Sequence, residues 1–199
     1  MKKMLCFGDS NTYGYDASSL LGRQLKETER WPEVFQEISG WKTVNEGMNG
    51  REIPSGWFMQ RFDKILEEVS PVDLLAVMLG TNDILNSFRP DVSEIGERME
   101  AFAEHVLKRP EMGGEVKKLL LIAPPVTDIG RYGSEEAVFD KAVADLASVY
   151  RNLSDTYGFF FIDASGWDIP LSHDGVHFTG DGQKQFAEKL LKEFKKLGL

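Results

Sequence analysis

Two stretches of this chain, Leu74-Leu75-Ala76-Val77-Met78-Leu79 and Leu119-Leu120-Leu121-Ile122, are apolar at every position. A strand with one wet face alternates apolar and polar residues, so a short run without alternation belongs to a strand covered on both faces. Three further strand candidates, Lys3–Phe7, Lys42–Asn45 and Phe159–Ile162, join Leu74–Leu79 and Lys118–Ala123. Amphipathic stretches separate them. Helical spacing of apolar residues predicts helices over Trp31–Glu37, Phe58–Glu68, Val92–Leu107, Glu135–Tyr157 and Gly182–Leu197. Strands that alternate with helices imply a parallel sheet with right-handed crossovers. We therefore expect an α/β protein, a three-layer α/β/α sandwich around a five-stranded parallel sheet.

Local signals mark the element ends. Asp91 and Ser134 are candidate N-caps, Thr179-Gly180-Asp181 can open the last helix, and Pro124-Pro125 stops the fourth strand. No internal repeat or linker divides the chain, and its 199 residues suit a single domain over 1–199. The formal charge of −9 repels polyanions, which argues against nucleic acid and anionic membranes as partners. No apolar run approaches the ~20 residues of a membrane span. The apolar segment after Met1-Lys2-Lys3 is too short for a leader, so we expect a cytoplasmic protein. The lone cysteine, Cys6, sits in an apolar strand and reads as a small core residue. The basic residues of the tail, Lys192, Lys195 and Lys196, read as a solvated helix face.

Four polar blocks fall at strand ends or in loops: Gly8-Asp9-Ser10, Gly47-Met48-Asn49-Gly50-Arg51, Gly80-Thr81-Asn82-Asp83 and Asp174-Gly175-Val176-His177. A parallel sheet gathers such loops along one edge. A serine is a weak nucleophile without a base within hydrogen-bond reach. Asp174 and His177, three apart around a glycine, supply a base and a carboxylate to orient it. Candidate donors for an oxyanion are the N–H of Ser10, the N–H of Gly50 and the amide of Asn82. Glycine at 50 would permit close backbone approach, and an amide at 82 donates without titrating.

Together these blocks resemble the SGNH hydrolases, the GDSL esterase and lipase family, in family order and across nearly the whole chain. The resemblance implies Ser10 as nucleophile, Asp174 and His177 as its catalytic partners, and Ser10, Gly50 and Asn82 as the oxyanion hole. It implies a flavodoxin-like α/β/α sandwich with strand order 2-1-3-4-5, and no cofactor and no metal. One departure stands out, because the common form has leucine where this chain has Asn11. The segments Leu5–Ser10, Asn45–Arg51 and Met78–Asp83 are similar to the arylesterase and acyltransferase branch. That branch favours short acyl groups and often forms homo-oligomers.

The expected function is hydrolysis of small carboxylic esters with short acyl chains. Carbohydrate acetylesterase, lysophospholipase, thioesterase and acyltransferase activities use the same blocks, and a non-catalytic binding module is the alternative from another class. Asp9 is expected to pin its loop, and Asp83 and Arg51 to support the site. His173 and His177 lack the surroundings of a metal helix, and His105 reads as a surface or satisfied residue. Trp31, Trp57, Phe88, Tyr132, Trp167 and Phe178 are candidates for either pocket or core.

Overall fold

In a computed structural model describing residues 1–199, five strands form one sheet. They are β1 (Lys3–Gly8), β2 (Lys42–Gly47), β3 (Leu74–Met78), β4 (Leu119–Ala123) and β5 (Phe160–Asp163). The order is β2-β1-β3-β4-β5, as expected, and every pair is parallel. Six α-helices lie between them, and a seventh follows β5: α1 (Ser10–Tyr13), α2 (Trp31–Ser39), α3 (Trp57–Val69), α4 (Thr81–Leu85), α5 (Val92–Leu107), α6 (Ala137–Tyr157) and the last, α7 (Gly180–Leu197).

Alternate residues of the central strands enter different cores. Leu5, Phe7, Leu75, Val77, Leu119 and Leu121 pack with Phe62 of α3, Phe102 of α5 and Leu146 of α6. Met4, Cys6, Leu74, Ala76, Leu120 and Ile122 pack on the other face with Phe35 of α2 and Phe194 of α7. All of these residues are buried, which is why β3 and β4 carry no polar alternation. Each fully buried Leu contributes on the order of 2–3 kcal/mol. Cys6 is inside, and burial pushes its thiol well above the ordinary range.

Element ends match the sequence reading at Asp91, whose carboxylate accepts from Ser93 and Glu94 N–H, and at Thr179, whose hydroxyl accepts from Gly182 N–H. Ser134 is a correction: α6 begins at Ala137, and Ser134 lies outside it. Asp140 of α6 accepts from Ile129 and Gly130 N–H and from the Thr127 hydroxyl, so the preceding segment is held as a separate turn over Ile129–Tyr132. Residues 133–136 are needed to turn from it into the helix. The one-turn helices α1 and α4 follow β1 and β3 directly and are too short for a periodic pattern to reveal.

The connection from β1 leads to β2 on one side, and the chain then crosses to β3 on the other. That reversal opens a crevice at the carboxyl ends of β1 and β3, where sheets of this kind place ligands. Gly47, the last residue of β2, makes the crevice possible. A Cβ on it would stand 2.0 Å from Tyr13 N and 2.4 Å from Tyr13 Cα. Only glycine lets α1 lie against β2.

Two carboxylates are buried at this edge. Burial pushes Asp9 up to about 6, although the Asn11 N–H, His177 and Arg51 pull it down. Burial likewise pushes Asp83 up to about 6 against the attraction of Arg98 and the Ile53 N–H.

Gly47→Ala is expected to cost about 1–3 kcal/mol of stability in urea unfolding, because backbone must move. Wild-type stability would contradict the close approach. The two raised carboxyls set a pH dependence. In the fold they hold protons that the unfolded chain, with its lower carboxyl range, releases between about pH 4 and pH 6. Their contribution is therefore present below that window and lost as pH rises through it. Asp9→Asn, which keeps an oxygen for the Asn11 N–H, should flatten the decline in stability across the window. An unchanged slope would show that Asp9 does not carry it.

Candidate active site

Ser10 is the first residue of α1, two positions beyond the end of β1. Asp9 precedes it in extended backbone, and its Oδ1 accepts from Asn11 N–H at 2.9 Å. This is a capping bond, and it gives Asp9 the loop-pinning part expected of it. Ser10 Oγ lies 2.9 Å from His177 Nε2, and His177 Nδ1 lies 2.6 Å from Asp174 Oδ2. A carboxylate only accepts, so the short Nδ1 contact places the ring proton on Nδ1. Nε2 is then the acceptor that faces the serine hydroxyl.

The spacing of Asp174 and His177 closes a compact turn. Asp174 Oδ1 accepts from the N–H groups of Val176 and His177, both at 3.0 Å. Burial alone would raise the Asp174 carboxyl. The imidazole bond and these two N–H groups outweigh it and hold the carboxyl below its usual range. One carboxylate thus fixes the turn with one oxygen and the imidazole with the other. The Tyr15 ring packs beside the imidazole, centroid to centroid at 4.6 Å.

Gly50 N–H donates to no protein acceptor, and Ser10 N–H is one of those that a helix start leaves unpaired. Asn82, in the first turn of α4, donates from Nδ2 to Arg51 O at 3.1 Å. That bond joins the second and third polar blocks and leaves the second amide hydrogen free. Gly50 also needs its glycine for its backbone conformation. A Cβ there would meet nothing within 4 Å, but its φ of +70° is left-handed, where other residues are strained.

Arg51 and Asp83 do not pair with each other. Arg51 Nη1 donates to Gly8 O at 2.9 Å and to Glu46 O, while its guanidinium lies over the Phe7 ring at 4.0 Å. It ties the second block to the backbone just before Ser10. Asp83 pairs with Arg98 at 3.0 Å and accepts from Ile53 N–H, which holds the far end of the same loop. The loop bearing His177 is braced from outside. Arg131 Nη2 donates to Ser172 O and His173 O, each at 2.7 Å, Tyr132 donates to His173 O, and Asp128 N–H donates to Gly175 O at 2.7 Å. Tyr132, expected in a pocket or the core, instead braces this loop, and no sequence motif points to Arg131 or Tyr15.

Elsewhere, Trp31 and Phe178 are core residues against Phe186, as is the half-buried Trp167. Trp57 and Phe88 are exposed. His105 pairs with Asp63 at 2.7 Å. No three His, Cys, Asp or Glu side chains gather in an arrangement that could hold a metal. A cavity of about 300 Å³ adjoins the second block, with Phe7, Ile53, Phe58 and Phe62 among its walls. It shares Gly50 with the site, but Ser10, Asn82, Asp174 and His177 do not line it. No helix is long and apolar enough to cross a membrane.

Comparison with known proteins gives this geometry a family. The family model described as GDSL-like Lipase/Acylhydrolase matches residues 6–185. A solved structure from Agrobacterium tumefaciens, named as a candidate arylesterase, is 28% identical, covers 98% of this chain and 99% of its own, and superposes with a TM-score of 0.84. A carbohydrate acetylesterase family member from Sinorhizobium meliloti is 27% identical over 100% of both chains, with a TM-score of 0.83. The M. smegmatis aryl esterase, at 24% identity over 99% and 100% of the two chains and a TM-score of 0.78, shares the fold. No curated protein sequence matches significantly. With the family model matched from β1 into α7, the chain belongs to the GDSL-like lipase/acylhydrolase family of carboxylic ester hydrolases.

Proposed function

We propose that this protein is a serine esterase that cleaves short-chain acyl esters through an acyl-enzyme on Ser10. The observation that carries the reading is the unbroken chain from Ser10 Oγ through His177 to Asp174, at 2.9 and 2.6 Å. In this mechanism Ser10 Oγ attacks the ester carbonyl carbon while His177 Nε2 takes the hydroxyl proton. Asp174 stabilises the imidazolium and keeps its Nδ1 proton in place. The carbonyl oxygen becomes an oxyanion, held by the N–H groups of Ser10 and Gly50 and the free amide hydrogen of Asn82. As the tetrahedral species collapses, the alcohol leaves with the proton from Nε2. Water then attacks the acyl group by the reverse route, with His177 again as base, and Ser10 is restored.

The short-acyl preference rests on the likeness of the three blocks to the arylesterase branch. It also rests on two full-length relatives, a candidate arylesterase and a carbohydrate acetylesterase family member. The second relative favours one other reading, in which the alcohol is an acetylated sugar. Both readings share the acyl half of the substrate and differ in the leaving group.

Ser10→Ala should lose at least ~10³-fold in kcat/KM for p-nitrophenyl acetate, because the covalent route disappears. Near-normal turnover would end the assignment. Asn82→Ala should lose roughly 10²–10³-fold, mostly in kcat, as expected of a donor that acts on the transition state. A pure KM effect would place Asn82 outside the oxyanion hole. Along p-nitrophenyl esters from acetate to palmitate, kcat/KM should fall with chain length, and a rise toward palmitate would overturn the short-acyl preference.

A further inference from the structure

Leucine is the common residue after the family's serine, and this chain has Asn11 there. The Asn11 side chain is buried, at 7% exposure, and both ends of its amide are engaged. Its Nδ2 donates to Val176 O at 3.1 Å, and its Oδ1 accepts from Phe178 N–H at 2.9 Å. The Val176 carbonyl belongs to the peptide before His177, and the Phe178 N–H to the peptide after it. One amide therefore holds both peptide groups that bracket the base. The pairing also fixes which end is oxygen, because a reversed amide would set N–H against N–H and oxygen against oxygen.

The backbone of Asn11 is equally constrained. Its N–H donates to Asp9 Oδ1 at 2.9 Å, and its C=O accepts from Gln183 Nε2 at 2.9 Å. Gln183, fully buried in α7, accepts with its Oε1 from Trp31 N–H at the start of α2. Asn11 thus joins the turn that carries the nucleophile to the loop that carries the base and to two helices beneath them.

We propose that Asn11 is a positioning residue that sets the distance and angle between Ser10 Oγ and His177 Nε2. The proposal rests on the serine mechanism above. The argument is ring closure. Ser10 and Asn11 are consecutive in α1, the Asn11 amide grips the backbone on either side of His177, and the His177 ring returns to Ser10 Oγ. Every link is a peptide bond, a short side chain or a hydrogen bond, so the ring has little room to flex. Without the amide, the His177 loop is still held by Arg131, Tyr132 and Asp128, by Asp174, and by the Ser172 N–H, which donates to His177 O at 2.7 Å, but none of these bonds reaches α1. A leucine can fill the space but cannot bond either peptide group. In a chain that has leucine there, the base must be held by other means.

The test uses the full chain with Asn11→Leu, Asn11→Ala and the near-isosteric Asn11→Asp, with Ser10→Ala as control. Asp keeps an acceptor for Phe178 N–H but, when ionised, has no donor for Val176 O. The readouts are kcat and KM for p-nitrophenyl acetate, the thermal midpoint, and the proton resonance of His177 Nδ1–H. Misplacing a reacting group by about 1 Å can cost roughly 10²-fold, so kcat per folded molecule should fall about 10–100-fold in all three, with KM changed less than about twofold. The Nδ1–H resonance should shift or broaden, as a purely structural pin would not require. Folded variants with wild-type kcat, or losses that follow only the folded fraction, would overturn the proposal. Should Asn11→Leu or Asn11→Ala fail to fold, Asn11→Asp decides it by the same criteria. An active Ser10→Ala would instead overturn the serine mechanism itself, so the two failures are distinct.

Discussion

The hydrogen bond between Ser10 Oγ and His177 Nε2 joins residues 167 positions apart, and the rest of the site is arranged around holding it at 2.9 Å. Residues so distant meet only because the sheet is parallel and sends every strand end to the same edge. The strands must be buried on both faces for that edge to be rigid, and the two apolar cores achieve this. Rigidity is then passed to the loops by hydrogen bonds between side chains and backbone. Arg51 reaches Gly8 O, Asn82 reaches Arg51 O, and Asp83 holds Ile53 N–H. The first two bonds connect one polar block to the next, and the third holds the chain just past the second block.

Such an edge opposes stability to some degree. Asp9 and Asp83 sit where burial disfavours their charged forms, and their hydrogen bonds and cationic neighbours offset only part of this. Asp174 shows the opposite balance, because its bonds to His177 and Val176 outweigh burial and keep it ionised. The difference separates the carboxylates by task. Asp174 faces an imidazole that can become cationic, whereas Asp9 and Asp83 accept from backbone N–H groups that never ionise.

Much of this was legible in the sequence, for identifiable reasons. The unalternated runs of β3 and β4 require cover on both faces, and this sets the layer architecture. Ser10, Asp174 and His177 could be grouped from the sequence because a serine needs a base and the base an orienting carboxylate, and the fold brings the three together. What escaped was whatever depends on backbone partners. Arg131 and Tyr132 brace the His177 loop through carbonyls, which every residue has, so nothing at positions 172 and 173 points to them. Asn11 stood out as a departure, but its partners are peptide groups 165 and 167 positions away. Ser134 was misread because the rule for helix caps takes no account of Asp140 reaching back to hold the preceding turn. A second ground for glycine at position 50, its left-handed φ, has no signal in the sequence.

The central claim is that Ser10 becomes covalently acylated. Its most direct measurement is peptide mapping by mass spectrometry after reaction with an aryl phosphonate ester, which traps an activated serine at the tetrahedral stage. A single adduct on the peptide carrying Ser10 is the expected result, formed in step with loss of esterase activity and absent in Ser10→Ala. Activity lost without an adduct on Ser10, or an adduct on another residue, would contradict the account.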